Sequence, residues 1–288
     1  MRCSNLSVRW VHVISVGTSI LRNFSRDRKN LCEELGICDW GFIRFDHPDQ
    51  QRALSVARRG DPIFNALYEY VSEDPRRASA ELNAFLRAVS LFNHSPREDV
   101  GVYVFSSDSG TGYLCASLIH EFLRNLNYLM LSKDPVRIEG LGKNILSFED
   151  SLVDLVEKVV TKILEWNSKG IKVYLNLTGG FKPESTYLAL AGALAGAQRA
   201  YYIHETFEEI VAVPLLKLAI DPRLTNLIKR LKDPYQTFSE PELEDLLRDE
   251  GLDLRDLRES GFIQERAPAF RKYIIKLVMK LENEKRQT

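Results

Sequence analysis

The sequence predicts an α/β protein, with a Rossmann-like, doubly wound, mostly parallel sheet followed by a small helical module. Short β-branched and aromatic runs alternate with helical stretches up to about residue 220, which is typical of parallel strands joined by crossover helices. Turns of small residues follow several of these runs. Beyond Asp221-Pro222 the pattern is almost wholly helical, so we expect two domains, residues 1–220 and 221–288.

Composition excludes several classes of protein. The 288 residues are 44% hydrophobic and 27% charged, with a net charge of −1, which fits a soluble globular protein and not a nucleic-acid coater. Cys3, Cys32, Cys38 and Cys115 form no C-x-x-C pair, so reduced, cytoplasmic thiols are expected. The five scattered histidines lack metal-ligand spacing, and we expect neither a metal nor a cofactor. No apolar run is long enough for a bilayer and no signal peptide is evident, so the predicted location is the cytoplasm, without membrane contact.

The first predicted strand is Trp10–Val16, and Gly17-Thr18-Ser19 turns it into a helix that begins near Ile20. Ligands gather at the carboxyl ends of strands in an open parallel sheet, so this turn is a candidate ligand loop. Ser19 also suits a plain helix N-cap. Residues 52–70 and 75–91 are predicted amphipathic helices. Their arginine pairs, 58–59 and 76–77, fit either solvated faces or contacts to an anionic ligand.

The second predicted strand, Asp99–Phe105, ends in a second candidate ligand loop of hydroxyl, acidic and glycine residues. This loop reads Ser106-Ser107-Asp108-Ser109-Gly110-Thr111-Gly112. A helix over 113–131, a third strand over 136–140 and a helix over 148–168 are predicted to follow.

A buried strand, Ile171–Leu177, then runs into Thr178-Gly179-Gly180, with Lys182 and Pro183 opening a helix that includes Tyr187–Ala197. Free backbone N–H groups, a helix dipole and an ammonium favour an anion here, although a tight βα turn with a solvated lysine explains the pattern too, because the Walker spacing is absent. Strands at 200–204 and 209–215 are predicted to form an antiparallel hairpin.

In the C-terminal part, helices over 224–231, 242–248 and 253–260, a strand-like piece at 261–265 and a helix over 269–284 fit a winged-helix module. The would-be recognition helix carries three acids among its five charges, which phosphate would repel. DNA binding is therefore disfavoured, and we expect a structural or dimerising role.

Three motifs carry a resemblance to a known family. V-G-T-S-I-L at 16–21, S-S-D-S-G-T-G at 106–112 and N-L-T-G-G-F-K-P-E at 176–184 resemble the CARF domains of CRISPR-associated proteins. The chain is most similar to the archaeal family in which a winged-helix domain follows the CARF domain and which includes the ring nucleases. The resemblance covers essentially the whole chain, and the third motif is its most specific element.

The resemblance implies a homodimer with one two-fold symmetric pocket for cyclic oligoadenylate, most often cyclic tetra-adenylate, a second messenger of type III CRISPR antiviral defence. Ring nucleases cleave it without metal and switch the response off. By motif, the catalytic serine and lysine match Ser19 and Lys182. The three motif loops supply the other expected ligand contacts: Gly17, Thr18, Ser106, Ser107, Asp108, Ser109, Thr178, Gly179, Gly180 and Phe181.

The chemistry of these residues is compatible with that activity. An RNA ring contains its own nucleophile, the ribose 2′-OH beside each phosphate. In-line attack of this group on the phosphorus gives a 2′,3′-cyclic phosphate without metal. Lys182 and the glycine backbone suit the charge that develops on phosphorus, and Ser19 can bond either the 2′-OH or a phosphate oxygen. Two cuts across the dyad would give linear di-adenylate.

Other functions stay open at this point. The pocket of a non-catalytic sensor or of a CARF–winged-helix transcription regulator would look the same. An effector ribonuclease in the C-terminal part is disfavoured, because no histidine follows His204. An unrelated nucleotide-binding α/β protein is the remaining alternative.

Overall fold

A computed structural model describes residues 8–141, 143, 145–180, 182–203 and 209–285. Within these residues the strands are β1 (Trp10–Val16), β2 (Val100–Ser107), β3 (Leu129–Met130), β4 (Val136–Ile138), β5 (Lys172–Asn176), β6 (Arg199–Ile203) and β7 (Ile210–Pro214). They form one sheet in the order β3-β2-β1-β5-β6-β7, with β4 beside the carboxyl end of β2. All are parallel except β7, which is antiparallel to β6. The predicted Rossmann-like α/β fold is confirmed.

β1 lies at the centre because it is apolar on both faces. Val13 pairs with Tyr103 of β2 and with Leu175 of β5. Alternate side chains of the strand enter different cores, Ile14 on one face and Val13 on the other. A nearly continuous apolar run of this kind is what a strand covered on both faces requires.

Helices cover the two faces of the sheet. On one side lie α1 (Ser19–Asp27), α2 (Lys29–Leu35), α3 (Asp49–Ser55), α4 (Pro62–Glu73), α5 (Pro75–Ala78), α6 (Ala80–Leu91) and α7 (Gly110–Asn125). On the other lie α8 (Ile145–Leu155), α9 (Thr161–Ser168) and α10 (Lys182–Leu194), with a single π turn at Val156–Val160 joining α8 to α9.

Two helices predicted as continuous are broken, and each break has a local cause. The prediction for 52–70 is wrong because Asp61 caps a new helix: its side chain accepts a hydrogen bond from the backbone N–H of Ile63, and Pro62 takes the first helical position. The prediction for 75–91 is wrong at Ser79, whose hydroxyl accepts from the N–H of Leu82 and starts α6. Similarly, α7 ends at Asn125, before Asn127 with its positive φ, and residues 129–130 form β3.

The antiparallel pairing of β6 with β7 confirms the predicted hairpin strands, while the connecting residues 204–208 lie outside the described part of the chain. None of the helices in the described ranges is long and apolar enough to cross a membrane.

The C-terminal residues form α11 (Pro222–Arg230), α12 (Glu240–Asp249), α13 (Leu254–Glu259) and α14 (Lys272–Lys285). These helices share an apolar cluster of their own, and the predicted strand-like piece is reduced to one antiparallel bridge between Ile263 and Phe270. α14 also packs against the sheet domain, since Leu277 joins the core beneath α8 and α9. The winged-helix assignment and the division at residue 221 stay predictions.

Two of the four cysteines differ from the expectation of reduced thiols, and Cys3 lies outside the described residues. The structure joins Cys32 of α2 to Cys38 in a disulfide, with Cα atoms 5.2 Å apart, whereas Cys115 is a buried free thiol. Spacing could not reveal this pair, because the turn after α2 is what brings the two residues together.

Candidate functional site

The turns after β1 and β5 meet at the carboxyl edge of the sheet. The chain leaves β1 towards β2 on one side and later returns to β5 on the other, so this edge is a topological switch point, where open α/β sheets bind ligands. The two turns touch through backbone alone. A Cβ atom on Gly179 would lie 2.8 Å from the Gly17 nitrogen, and Gly180 has φ +90°. The glycines are therefore required by close approach and by backbone conformation.

A cavity of about 480 Å³ opens at this point. Four segments contribute most of its wall: the turn after β1, the start of α6, the loop after β2 and the turn after β5. The lining residues are Val16, Gly17, Thr18, Ser19, Arg22, Asn23, Ala80, Glu81, Ser107, Ser109, Gly112, Leu141, Thr178, Gly179, Gly180 and Glu184.

Most of the sequence-predicted site residues meet in this cavity, but not all. Ser106 is fully buried and donates to the carbonyl of Ser107, so it lies behind the wall. Asp108 also stands outside the lining, and its carboxylate accepts from the N–H of Gly140. Lys182 is exposed in the first turn of α10 and is not part of the wall. Phe181 lies outside the described residues.

The candidate arginines of the sequence are absent from the wall as well. Arg77 pairs with Asp27 at 2.8 Å, and Arg59 pairs with Glu121. Arg76 lies beside a different cavity, near His94. The cation that does line the site is Arg22, whose Nε donates to the carbonyl of Gly41 at 3.0 Å.

Ser19 is tied to a carboxylate that sequence reasoning missed. Its Oγ donates to Glu81 Oε2 at 2.5 Å and accepts from the N–H of Ala80 at 3.2 Å. The N-cap of α1 is Thr18, which makes no side-chain cap and instead donates to the carbonyl of Gly41 at 3.1 Å. The hydroxyl of Ser19 therefore does not cap its helix; it faces the start of α6.

Glu81 is 1% exposed although it lines the cavity. Oε1 accepts from the N–H of Gly17 at 2.9 Å, and Oε2 accepts from the hydroxyls of Ser79 at 2.8 Å and Ser19. The carboxylate also lies near the N-termini of α1 and α6, where helix dipoles stabilise negative charge. These donors offset the cost of burying the group. Burial, and after it the nearby Glu81, raises the pKa of the Cys115 thiol.

Glu81 has no distinctive signal in the sequence. An acidic residue in the first turn of a helix is common for dipole reasons alone and is usually solvated. Only the pairing of β1 with both neighbouring strands brings α6 against the turn after β1.

A second buried carboxylate lies on the opposite wall. Glu184, 2% exposed in the first turn of α10, accepts from the hydroxyl of Ser15 at 3.0 Å. Ser15 is the penultimate residue of β1, so the two carboxylates flank the same turn.

The remaining walls are ordered by hydrogen bonds within the chain. Ser107 Oγ and Ser109 Oγ are 2.8 Å apart, and Ser109 caps α7 by accepting from the N–H of Gly112. The buried Asn176 side chain donates to the carbonyl of Glu81 at 3.0 Å and accepts from the N–H of Thr178 at 3.2 Å. Asn176 thus fixes the start of α6 against the turn after β5. In the described residues, no group of three or more His, Cys, Asp or Glu side chains is placed to hold a metal ion.

Open α/β sheets bind their ligands at the switch point, so the cavity with its hydroxyl groups and glycine turns is the candidate ligand site of this α/β protein. Comparison with protein families adds that residues 76–216 match a family described as CRISPR-associated protein (Cas_APE2256). The match spans just under half of the chain and includes Glu81, the loop after β2 and the turn after β5, but not Ser19. It supports a CRISPR-associated protein.

Proposed function

We propose that this chain is a ring nuclease of the type III CRISPR response that binds cyclic oligoadenylate, in the form of cyclic tetra-adenylate, and cleaves it without metal. One observation carries the proposal: the motif turns that hold Ser19 and the Thr178-Gly179-Gly180 sequence converge on one cavity. The match of residues 76–216 to a CRISPR-associated family supports the CRISPR part of this proposal.

The size of the cavity favours a shared site. Pockets for single small molecules range over about 300–1,000 Å³, and the cavity of one chain, about 480 Å³, is at the lower end. A ring of four nucleotides is then expected to lie across the cavities of two chains related by a two-fold axis. In such a homodimer each ring meets Ser19 twice, and two cuts give linear di-adenylate.

In this mechanism the main contribution to catalysis is the orientation of the 2′-oxygen, the phosphorus and the 5′-oxygen. The 2′-oxygen attacks the adjacent phosphorus, the bond to the 5′-oxygen breaks, and a 2′,3′-cyclic phosphate forms. Lys182 lies on the exposed first turn of α10, directly after the turn that follows β5, and its ammonium would stabilise the charge that develops on the phosphate oxygens if ligand binding brings it to the ring. The N–H groups of the turn after β5 would add to that stabilisation.

The test is to incubate the protein with cyclic tetra-adenylate in EDTA and to resolve the products by mass. Wild-type protein is expected to release di-adenylate with a 2′,3′-cyclic phosphate end. Lys182→Ala should slow the reaction about 100-fold or more, as expected for loss of one charge-stabilising group. Release of only mononucleotides or 3′-hydroxyl ends would rule out the proposed chemistry.

The position of Lys182 favours a second candidate, a sensor that binds the ring without cutting it. Lys182 is exposed and outside the wall of the cavity, so a bound ring would lack this cation unless the partner chain or ligand binding brings it closer. Tight binding with the ring left intact would select the sensor.

A sensor that acts on DNA is less well supported. On α13, Arg255 pairs with Glu259 at 2.8 Å and Arg258 pairs with Glu240. Both arginines of this helix are therefore already neutralised within the chain, which leaves little to attract phosphate. Salt-sensitive binding of duplex DNA in a gel-shift assay would reverse this judgement.

A further inference from the structure

Glu81 determines which hydrogen bond Ser19 offers to a ligand. An ionised carboxylate only accepts, so the short contact of Ser19 Oγ with Glu81 Oε2 uses the hydroxyl proton of Ser19. The N–H of Ala80 occupies one lone pair of the same oxygen. What Ser19 presents to the cavity is therefore its second lone pair, an acceptor.

The same carboxylate makes this corner of the cavity unfavourable for phosphate. Glu81 Oε1 already takes the N–H of Gly17, a backbone donor in the turn just before α1 that an anion could otherwise use. A phosphate oxygen placed on Ser19 would face a lone pair and a nearby negative charge. A hydroxyl group, which donates, fits the same position.

From this geometry we propose that Glu81 makes Ser19 the acceptor for the ribose 2′-OH and receives its proton through Ser19. This inference rests on the proposed function and supplies the base that the scattered histidines do not. As the 2′-oxygen bonds to phosphorus, its proton moves to Ser19 Oγ and the proton of Ser19 moves to Glu81 Oε2. The bond from phosphorus to the 5′-oxygen breaks, that oxygen takes a proton from water, and Glu81 returns its proton to solvent.

In this scheme Ser19 touches the substrate, whereas Glu81 acts through Ser19 and is a positioning residue. Three donors hold the carboxylate: the backbone N–H of Gly17 and the hydroxyls of Ser79 and Ser19. A buried acceptor fixed in this way needs little reorganisation during the reaction, which is the condition for efficient proton transfer.

The experiment measures single-turnover cleavage of cyclic tetra-adenylate by wild type, Glu81→Gln and Glu184→Gln. Glu184→Gln is the matched control, because it neutralises a buried carboxylate of the same cavity that bonds Ser15 and not Ser19. Glu81→Gln is expected to lower the rate constant at saturating ring about 100-fold or more, with half-saturation changed less than about threefold. Glu184→Gln should lose far less rate.

A second measurement separates the proposed role from a purely structural one. The cyclic deoxy ring lacks the 2′-OH, so wild type should bind it more weakly than the ribose ring. In Glu81→Gln the amide can donate to Ser19, the hydroxyl proton of Ser19 turns towards the cavity, and the preference for ribose should decrease, because Ser19 can then donate to a phosphate oxygen of either ring. Glu184→Gln should keep that preference, since Ser19 retains its partner.

The outcomes distinguish the two proposals. An intact ring after incubation with wild type overturns the proposed nuclease function and the relay together. Cleavage by wild type with an equal rate and an equal ribose preference in Glu81→Gln overturns the relay alone. If Glu81→Gln does not fold, Glu81→Asp takes its place: a carboxylate shortened by one methylene should still fold and lose rate, and a wild-type rate in this variant contradicts the relay.

Discussion

Two histidines that are expected to respond to pH, His12 and His94, lie together in a buried aromatic cluster. His12 Nδ1 lies 2.7 Å from the hydroxyl oxygen of Tyr201, and His12 Nε2 lies 3.0 Å from His94 Nδ1. Burial, and then the neighbouring His94, hold the pKa of His12 well below its usual range. Burial lowers the pKa of His94 to about 4, with smaller contributions from the positive charges of Lys172 and Arg199.

These shifts predict a loss of stability on mild acidification. Both histidines are neutral in the folded state near pH 5 but protonated in the unfolded chain, so the unfolded state binds more protons between the unfolded value of about 6.5 and a folded value of about 4. Their contribution is fully present above about pH 6.5 and is lost as the pH falls through that window. We expect a decrease of about 3–5 kcal/mol in the free energy of unfolding, measured by urea denaturation from pH 7.5 to 4.5.

The matched variants for this prediction are His94→Phe and His47→Gln. The first removes one of the buried titrating groups and should flatten the pH dependence, and the second changes an exposed histidine and should leave it unchanged. Asp27, whose pKa the Arg77 and Arg26 guanidinium groups hold well below its usual range, contributes only at lower pH. An equal slope in all three proteins would remove the histidines as the cause.

At the scale of elements, α6 connects stability to the site through its N-cap. The Ser79 hydroxyl accepts from the N–H of Leu82 and donates to Glu81. Ser79→Ala is predicted to destabilise the protein by about 1 kcal/mol, the usual cost of a lost cap, and also to slow ring cleavage because Glu81 loses one donor.

Ser239→Ala provides the control for that prediction. Ser239 caps α12 in the C-terminal part with a full capping box, far along the chain from the cavity residues. It should cost a similar free energy in urea denaturation with no change in cleavage. Equal cleavage rates in Ser79→Ala and wild type would show that the cap of α6 acts on stability only.

The elements that the sequence predicts well are those whose pattern is local. β1 is observed at the predicted Trp10–Val16, because a β-branched run that ends in Gly-Thr-Ser needs no tertiary information. The helix breaks at Asp61 and Ser79 also have a local signal, because each of these residues is a favourable N-cap for the helix that follows. The Ile263–Phe270 bridge is too short to leave a periodic signal.

The candidate site likewise has a part that local sequence predicts and a part that depends on the tertiary fold. Glycine turns after strands predict where the cavity lies, because the carboxyl ends of parallel strands share one edge. The partner of Ser19 could not be predicted, since Glu81 is 62 residues away and reaches Ser19 only once the chain between them has folded. Lys182 is exposed and outside the wall, although its motif carries the resemblance.

For the whole molecule, α14 joins the two parts of the chain. Its Ile275 and Val278 belong to the C-terminal cluster, whereas Leu277 belongs to the core under the sheet. Lys280 of the same helix pairs with Glu157 of the π turn at 2.9 Å, and Lys276 pairs with that carboxylate as well. One helix therefore contributes to two cores, which couples their unfolding.

This coupling predicts that wild type unfolds in one transition and that Leu277→Ala separates it into two. Removing the buried Leu277 side chain should cost about 2–4 kcal/mol, and the loss falls on the contact between the parts. All three tryptophans, Trp10, Trp40 and Trp166, lie in the sheet domain, so their fluorescence reports that part alone, while far-UV circular dichroism reports every helix. The two signals should coincide in wild type and diverge in Leu277→Ala.

Leu243→Ala is the matched control, since Leu243 is fully buried within the C-terminal cluster and does not contact the core under the sheet. The loss of its side chain should weaken the C-terminal part by a similar amount but leave α14 docked. The two signals should then stay together at a lower midpoint, because a coupled structure shares its stability across both parts. Divergence in Leu243→Ala would mean that the two parts unfold independently. Coincidence in Leu277→Ala would mean that the parts stay coupled through contacts other than Leu277.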